Sequence, residues 1–185
     1  TAVNLAKIKG RDRVQLYQSD DPALKQHALE MDTLKLLKRT LANDTLLLYR
    51  QEILSTKGPA DVKTYEVLAR MEHEGNILSP AVFIPIAERN GFALDLDKCV
   101  IKQSIARIAR DKDLSHYSIN LSGQTLANPT LIKFVKQQLA EYRVNPTQLT
   151  FEITETYAIT HLESAIKFIS EVTELGCQFA LDDFG

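Results

Sequence analysis

Cysteine is scarce in this chain, tryptophan is missing, and no apolar run approaches the length of a membrane span. Among 185 residues only Cys99 and Cys177 carry thiols, the first inside a helical pattern and the second opening a strand. Such a distant pair gives no disulfide framework and no zinc site, so both are read as buried thiols. A bilayer-crossing helix needs roughly 20 predominantly apolar residues in succession, and no such stretch is present. No signal-peptide pattern opens the sequence either. The expectation is a cytoplasmic domain, with any inner-membrane anchor of the parent protein lying upstream. Excess positive charge is also lacking: the formal net charge is -2. A groove-tracking DNA or RNA partner is therefore disfavoured, whereas a small nucleotide held through metal ions is compatible with this balance.

What is present suffices for one sizeable core, since 44% of the residues are hydrophobic and 25% charged. Residues 5–17 read as a helix end stopped at Gly10 and a short strand, too little to fold alone. Asp21-Pro22 then opens a helix whose apolar positions Leu24, Met31, Leu34, Leu37 and Leu41 run up to Asn43, a linker helix. From residue 45 strands and helices alternate. Strands are expected at 45–54 and 62–71, separated by the turn residues Lys57-Gly58-Pro59. Ser79-Pro80 starts a helix reaching Ala87, which Pro85 should bend or interrupt. A helix at 94–110 follows, then strand 117–121, helix 129–142, strand 148–154, helix 159–175 ended by Gly176, and strand 177–182. Alternation of this kind implies an α/β fold with a parallel sheet covered by helices.

Four of these strands deliver an acid or an amide near the C-terminal end. With a period of two, Glu66 shares a face with Thr64, Leu68 and Arg70, Asn120 with His116 and Ser118, and Glu152 with Thr150 and Thr154. Asp182 shares its parity with Ala180. The opposite parity is mostly apolar and suits helix packing. Taken singly, a strand Glu is ordinarily solvated or salt-bridged, Asn-Leu-Ser ordinarily makes a turn, and Asp182-Asp183 could cap a helix. Four strands placing oxygen groups at equivalent positions is a different matter, because clustered carboxylates repel and a cation resolves the repulsion. An all-oxygen set without His or Cys favours magnesium or manganese over zinc, and the mouth of an α/β barrel is where such groups collect.

These residues resemble the EAL domain of bacterial cyclic di-GMP phosphodiesterases. The naming motif is present as Glu66-Val67-Leu68-Ala69-Arg70, preceded by Tyr49-Arg50-Gln51-Glu52-Ile53 and followed by residues 78–91, LSPAVFIPIAERNG. Asn120-Leu121-Ser122, Glu152-Ile153-Thr154-Glu155 and Asp182-Asp183-Phe184-Gly185 complete the series in order. The resemblance covers about residues 45–185 and departs from the family in Glu52 for a Pro, Val67 for the central Ala and Met71 for a Trp. None of these removes a candidate ligand.

The resemblance implies a TIM-like (β/α)8 barrel with an antiparallel first strand, of which about the first half falls within residues 44–185. It implies metal binding by Glu66, Asn120, Glu152 and Asp182, with Asp183 at a second metal site, and contacts to cyclic di-GMP from Gln51, Leu68 and Arg70. Glu66, Asp182 and Asp183 are the expected catalytic groups, acting through two Mg2+ or Mn2+ ions. Glu155 is expected to support the ligands and Glu88 to close its helix. Residues 1–18 resemble the tail of a GGDEF domain, and 19–43 would link it to the EAL domain. The implied activity is hydrolysis of cyclic di-GMP to linear pGpG within a GGDEF-EAL signalling protein, working as a homodimer through its EAL domains. The alternative is an inactive module that binds cyclic di-GMP and signals through a partner. Because the family's later strands supply further site residues, the 185-residue segment alone is expected to be inactive and prone to aggregation.

Overall fold

In the computed structural model, residues 22–54, 56, 62–111 and 115–182 are described. Helix α1 (Pro22–Ala42) leads into a hairpin of β1 (Leu47–Ile53) and β2 (Lys63–His73), and β3 (Asn76–Leu78) folds back on the end of β2. Helices α2 (Pro80–Arg89) and α3 (Ala93–Ile108) precede β4 (Ser115–Asn120). A short α4 (Gly123–Leu126), α5 (Thr130–Tyr142) and a 3-10 turn (Pro146–Gln148) carry the chain to β5 (Leu149–Thr154). Helices α6 (Glu155–Thr160) and α7 (Leu162–Glu174) then return it to β6 (Gln178–Asp182).

The main sheet runs β1-β2-β4-β5-β6. Strand β1 is antiparallel to β2, and every later neighbour is parallel. Parallel neighbours require crossovers, and the helices between them cover one face of the sheet. The fold is α/β and matches the expected part of a TIM-like barrel with a reversed first strand.

The helix-covered face is apolar because one parity of each strand is apolar. Tyr65, Val67 and Met71 from β2, Tyr117 and Ile119 from β4, and Phe151 and Ile153 from β5 are buried on it. Helix α3 answers with Leu96, Val100, Ile101, Ile105 and Ile108, the three- and four-residue spacing of a single helical stripe. Helix α7 buries Ala165, Phe168 and Val172, and the Phe168 ring meets Phe151 edge-on at 6.1 Å. Fully burying one such ring contributes about 1.5–3 kcal/mol, and an edge-on aromatic pair adds about 0.5–1.5 kcal/mol.

Four details depart from the sequence reading. Pro85 does not interrupt α2, which runs on to Arg89. The carbonyl deprived of its partner belongs to Ala81, an exposed residue, where water can serve it. The expected helix 159–175 is two helices, α6 and α7, broken at His161, whose backbone is non-helical and whose ring stacks on Tyr157 at 4.3 Å. Strand β3 was not anticipated; it hangs on a two-residue turn in which Glu74 and Gly75 both have positive φ, at 51° and 77°. Cys177 is buried as expected, but Cys99 is only half-buried, its Sγ donating to Asp44 Oδ1 at 3.4 Å. Burial still pushes both thiols up, to about 12 for Cys99 and about 11 for Cys177. The turn at Lys57-Gly58-Pro59, the cap at Gly10, the capping Asp21 and the whole 1–18 segment lie outside the described residues.

Candidate metal and substrate site

The sheet face turned away from the helices carries the polar parity of every strand. Register brings the candidate residues together: Gln51 lies opposite Glu66, Glu66 beside Ser118, Asn120 beside Glu152, and Thr154 beside Asp182. The candidate ligands therefore climb stepwise from β2 to β6. Glu66 stands two residues below the level of Asn120, Glu152 is level with it, and Asp182 is two residues further on. This is the stagger of strands tilted around a barrel axis.

Two of the four candidate ligands touch, with Asn120 Nδ2 donating to Glu66 Oε1 at 2.8 Å. That bond leaves the amide oxygen of Asn120 as its remaining donor toward a cation. Glu152 is half-buried between its neighbours. Burial raises its pKa, and the charges of Glu66 and Asp182 raise it further, against the lowering effect of the Ser118 hydroxyl. Carboxylates that repel one another on hard-oxygen strand ends fit a magnesium- or manganese-like ion. Among the described residues no three carboxylate, imidazole or thiol side chains stand close enough to hold a metal by themselves. Glu66, Glu152 and Asp182 therefore do not form such a group by themselves, and Asp183 lies outside the described residues.

The candidate substrate residues line the same face. Leu68 and Arg70 follow Glu66 at two-residue steps, paired across β1 with Tyr49 and Leu47. The Arg70 guanidinium stands 5.7 Å from the centre of the Tyr49 ring and donates to the Ala69 carbonyl at 2.8 Å. A cavity of about 290 Å³ runs beside Leu68, Asn120, Thr154 and Asp182. Another, of about 650 Å³, reaches Glu152 from the opposite end of the strands, past His116 and Thr150. There His116 Nε2 and Thr150 Oγ1 are 2.6 Å apart, and burial lowers the His116 pKa. A further cavity, about 720 Å³, lies on the helix side of the sheet among Arg50, Lys102, Arg107 and Tyr117 and touches none of the candidate residues.

Three residues stand here, Ser122, Asp97 and Glu88, to which the sequence reading gave no part in the site. Ser122, two residues after Asn120, donates its hydroxyl to Glu88 Oε1 at 2.7 Å. Its backbone N–H donates to Asp97 Oδ2 at 3.0 Å. Asp97 is only 6% exposed. Burial lifts its pKa to about 7, with the nearby Glu88 charge adding to the rise. The Thr125 hydroxyl opposes that rise without making a hydrogen bond of normal geometry. Glu88 thus does more than close its helix. An acid three positions after Leu94, on the buried stripe of α3, was the signal available in the sequence.

A barrel-type α/β sheet with an oxygen-lined polar face at its strand ends is the class defined by these observations. The chain belongs to the EAL domain family, whose sequence pattern matches residues 35–185. It is similar to the Shewanella oneidensis protein named cyclic di-GMP phosphodiesterase PdeB, with 32% identity over 97% of this chain and 22% of that protein. The Escherichia coli protein named cyclic di-GMP phosphodiesterase PdeF is 35% identical over 80% of this chain and 20% of its own length. Among solved structures, the FimX EAL domain of Pseudomonas aeruginosa bound to c-di-GMP superposes with a TM-score of 0.78 at 30% identity, covering 83% of this chain and 63% of that one. The chain thus spans about a fifth of the length of these curated relatives.

Proposed function

We propose that this chain contributes the metal- and substrate-binding face of a cyclic di-GMP phosphodiesterase, which opens one phosphodiester bond to give linear pGpG. The observation that carries the reading is the convergence of Glu66, Asn120, Glu152 and Asp182 from four strands onto one face. Support comes from the relatives' names and from the FimX domain, whose structure holds c-di-GMP.

Glu66, Asn120, Glu152 and Asp182 would hold one divalent ion, magnesium or manganese, and Asp183 would serve a second. Ions so held would supply an activated water and offset negative charge at the phosphoryl group. The chain's own residues do the rest. Arg70, already steered by Tyr49, pairs with a phosphate through its planar fork. Gln51 offers amide hydrogen bonds across β1 from Glu66, and Leu68 gives the ligand an apolar wall between Glu66 and Arg70. Glu155, opening α6 directly after β5, supports the ligand strand. We also read residues 1–18 as the end of a GGDEF domain, 19–43 as the linker and 44–185 as EAL domain. A relative from Pseudomonas aeruginosa named a bifunctional diguanylate cyclase/cyclic di-GMP phosphodiesterase, MucR, covers 97% of this chain and supports that arrangement. A homodimer formed through EAL domains completes the proposal.

The test is hydrolysis of cyclic di-GMP by the full-length protein with Mg2+ or Mn2+, beside Glu66→Ala. Conversion to pGpG that needs the metal and falls by at least about a hundredfold in the variant is expected. Tight binding by both proteins without turnover would instead establish a cyclic di-GMP receptor.

A further inference from the structure

Ser122 occupies the N-cap position of α4, yet its side chain makes no capping hydrogen bond. A serine there ordinarily accepts from a backbone N–H one turn ahead. Here the hydroxyl points elsewhere, donating to Glu88 Oε1 at 2.7 Å, while the backbone N–H of the same residue donates to Asp97 Oδ2 at 3.0 Å. Two acids from two different helices, α2 and α3, thus grip one residue just beyond β4. Retaining the second of them is costly, because Asp97 is buried in α3 with no salt-bridge partner among the described residues, and the Ser122 N–H is what its carboxylate accepts from. On the other side of Ser122 the chain is equally fixed: the Leu121 N–H donates to the Glu152 carbonyl at 2.9 Å, and Leu121 is buried.

One residue further back is Asn120, the candidate metal ligand and the exposed last residue of β4. Its own backbone leaves the ladder at that point, so its direction depends on what holds the next two residues. We propose that Ser122, gripped by Glu88 and Asp97, is a positioning residue that aims Asn120 at the metal. This inference rests on the metal reading of Asn120 given above. Glu88 and Asp97 act through Ser122, as outer groups that orient a ligand do, and loss of such a group commonly weakens metal binding by about 10- to 100-fold.

The test uses the full-length protein with Mn2+ as probe, bound ion being counted by electron paramagnetic resonance. Asparagine side-chain amides are followed in parallel by nuclear magnetic resonance of 15N-asparagine-labelled, metal-free protein. Ser122→Ala and Glu88→Ala are expected to weaken Mn2+ binding by about tenfold or more and to shift the Asn120 amide signals. Glu88→Gln retains an oxygen that accepts the hydroxyl and is expected to keep both readouts, with metal-free melting temperatures of all four proteins staying together. Unchanged Mn2+ affinity in Ser122→Ala with an unmoved Asn120 amide overturns the proposal. So does failure of Glu88→Gln alongside Glu88→Ala, since charge rather than the hydrogen bond would then matter. A Ser122→Ala protein that unfolds without metal overturns it as well, because Ser122 would be holding the fold and not the ligand. If the wild type takes up no Mn2+, the metal reading fails, and the amide spectrum alone decides whether Ser122 aims Asn120.

Discussion

Asp97 illustrates how one side chain can tie stability to pH. Its carboxyl has an ordinary value of 3.8 and is raised to about 7 in the fold, chiefly by burial. The folded protein therefore holds this proton more tightly than the unfolded chain does. Its contribution to stability is fully present below about pH 3.8 and is lost as pH rises through about 7. A rise of this size corresponds to about 4 kcal/mol. Asp97→Asn keeps an oxygen for the Ser122 N–H and removes the titration. Urea unfolding at pH 5 and pH 8 should show wild type losing stability between the two and the variant nearly level, with the variant the more stable at pH 8. At this scale the candidate residues were legible in the sequence, because Glu66, Asn120, Glu152 and Asp182 each carry the polar parity of their strand, and the register sets them on one face. Glu88, Asp97 and Ser122 were not. Their bonds join residues 25 and 34 positions apart, and no local pattern carries such information.

Among the elements, the long strands and helices were read within a residue or two because their periodicity is strong. Short or irregular pieces were missed. Strand β3 has three residues and exists only by pairing with the end of β2, and α4 has four. The break between α6 and α7 lies at His161, which no proline or glycine marks. The reversal of β1 came from the family resemblance, since alternation of residues along a strand is blind to its direction. The end of α5 offers a direct test of backbone preference. Arg143 terminates it in the left-handed region, at φ 54°, and is exposed. Glycine occupies this conformation without the clash of a Cβ. Arg143→Gly should stabilise the protein by about 0.5–1 kcal/mol, read as a higher urea midpoint with an unchanged slope.

At the scale of the whole molecule, the sheet has two open margins among the described residues. There strand β1 pairs only with β2 and β6 only with β5, while Tyr49, Ile53 and Leu181 on these strands are exposed. Open edges with apolar side chains are templates for pairing with another chain. Sedimentation of the 185-residue polypeptide should show association that grows with concentration, and Ile53→Lys should reduce it; a monomer at all concentrations would count against this. No helix among the described residues is long and apolar enough to cross a membrane.

Helix α1 is anchored unevenly along its length, which runs to roughly 31 Å for 21 residues. Thr33, Leu34, Leu36, Leu37 and Thr40 are buried, whereas Gln26, Ala28 and Leu29 are exposed, and Glu30 at the boundary is ion-paired with Arg89. The second half packs into the fold, and Glu30 marks where the burial begins. The residue before Arg89, Glu88, accepts the Ser122 hydroxyl. The run of contacts that begins on α1 therefore ends two residues from Asn120.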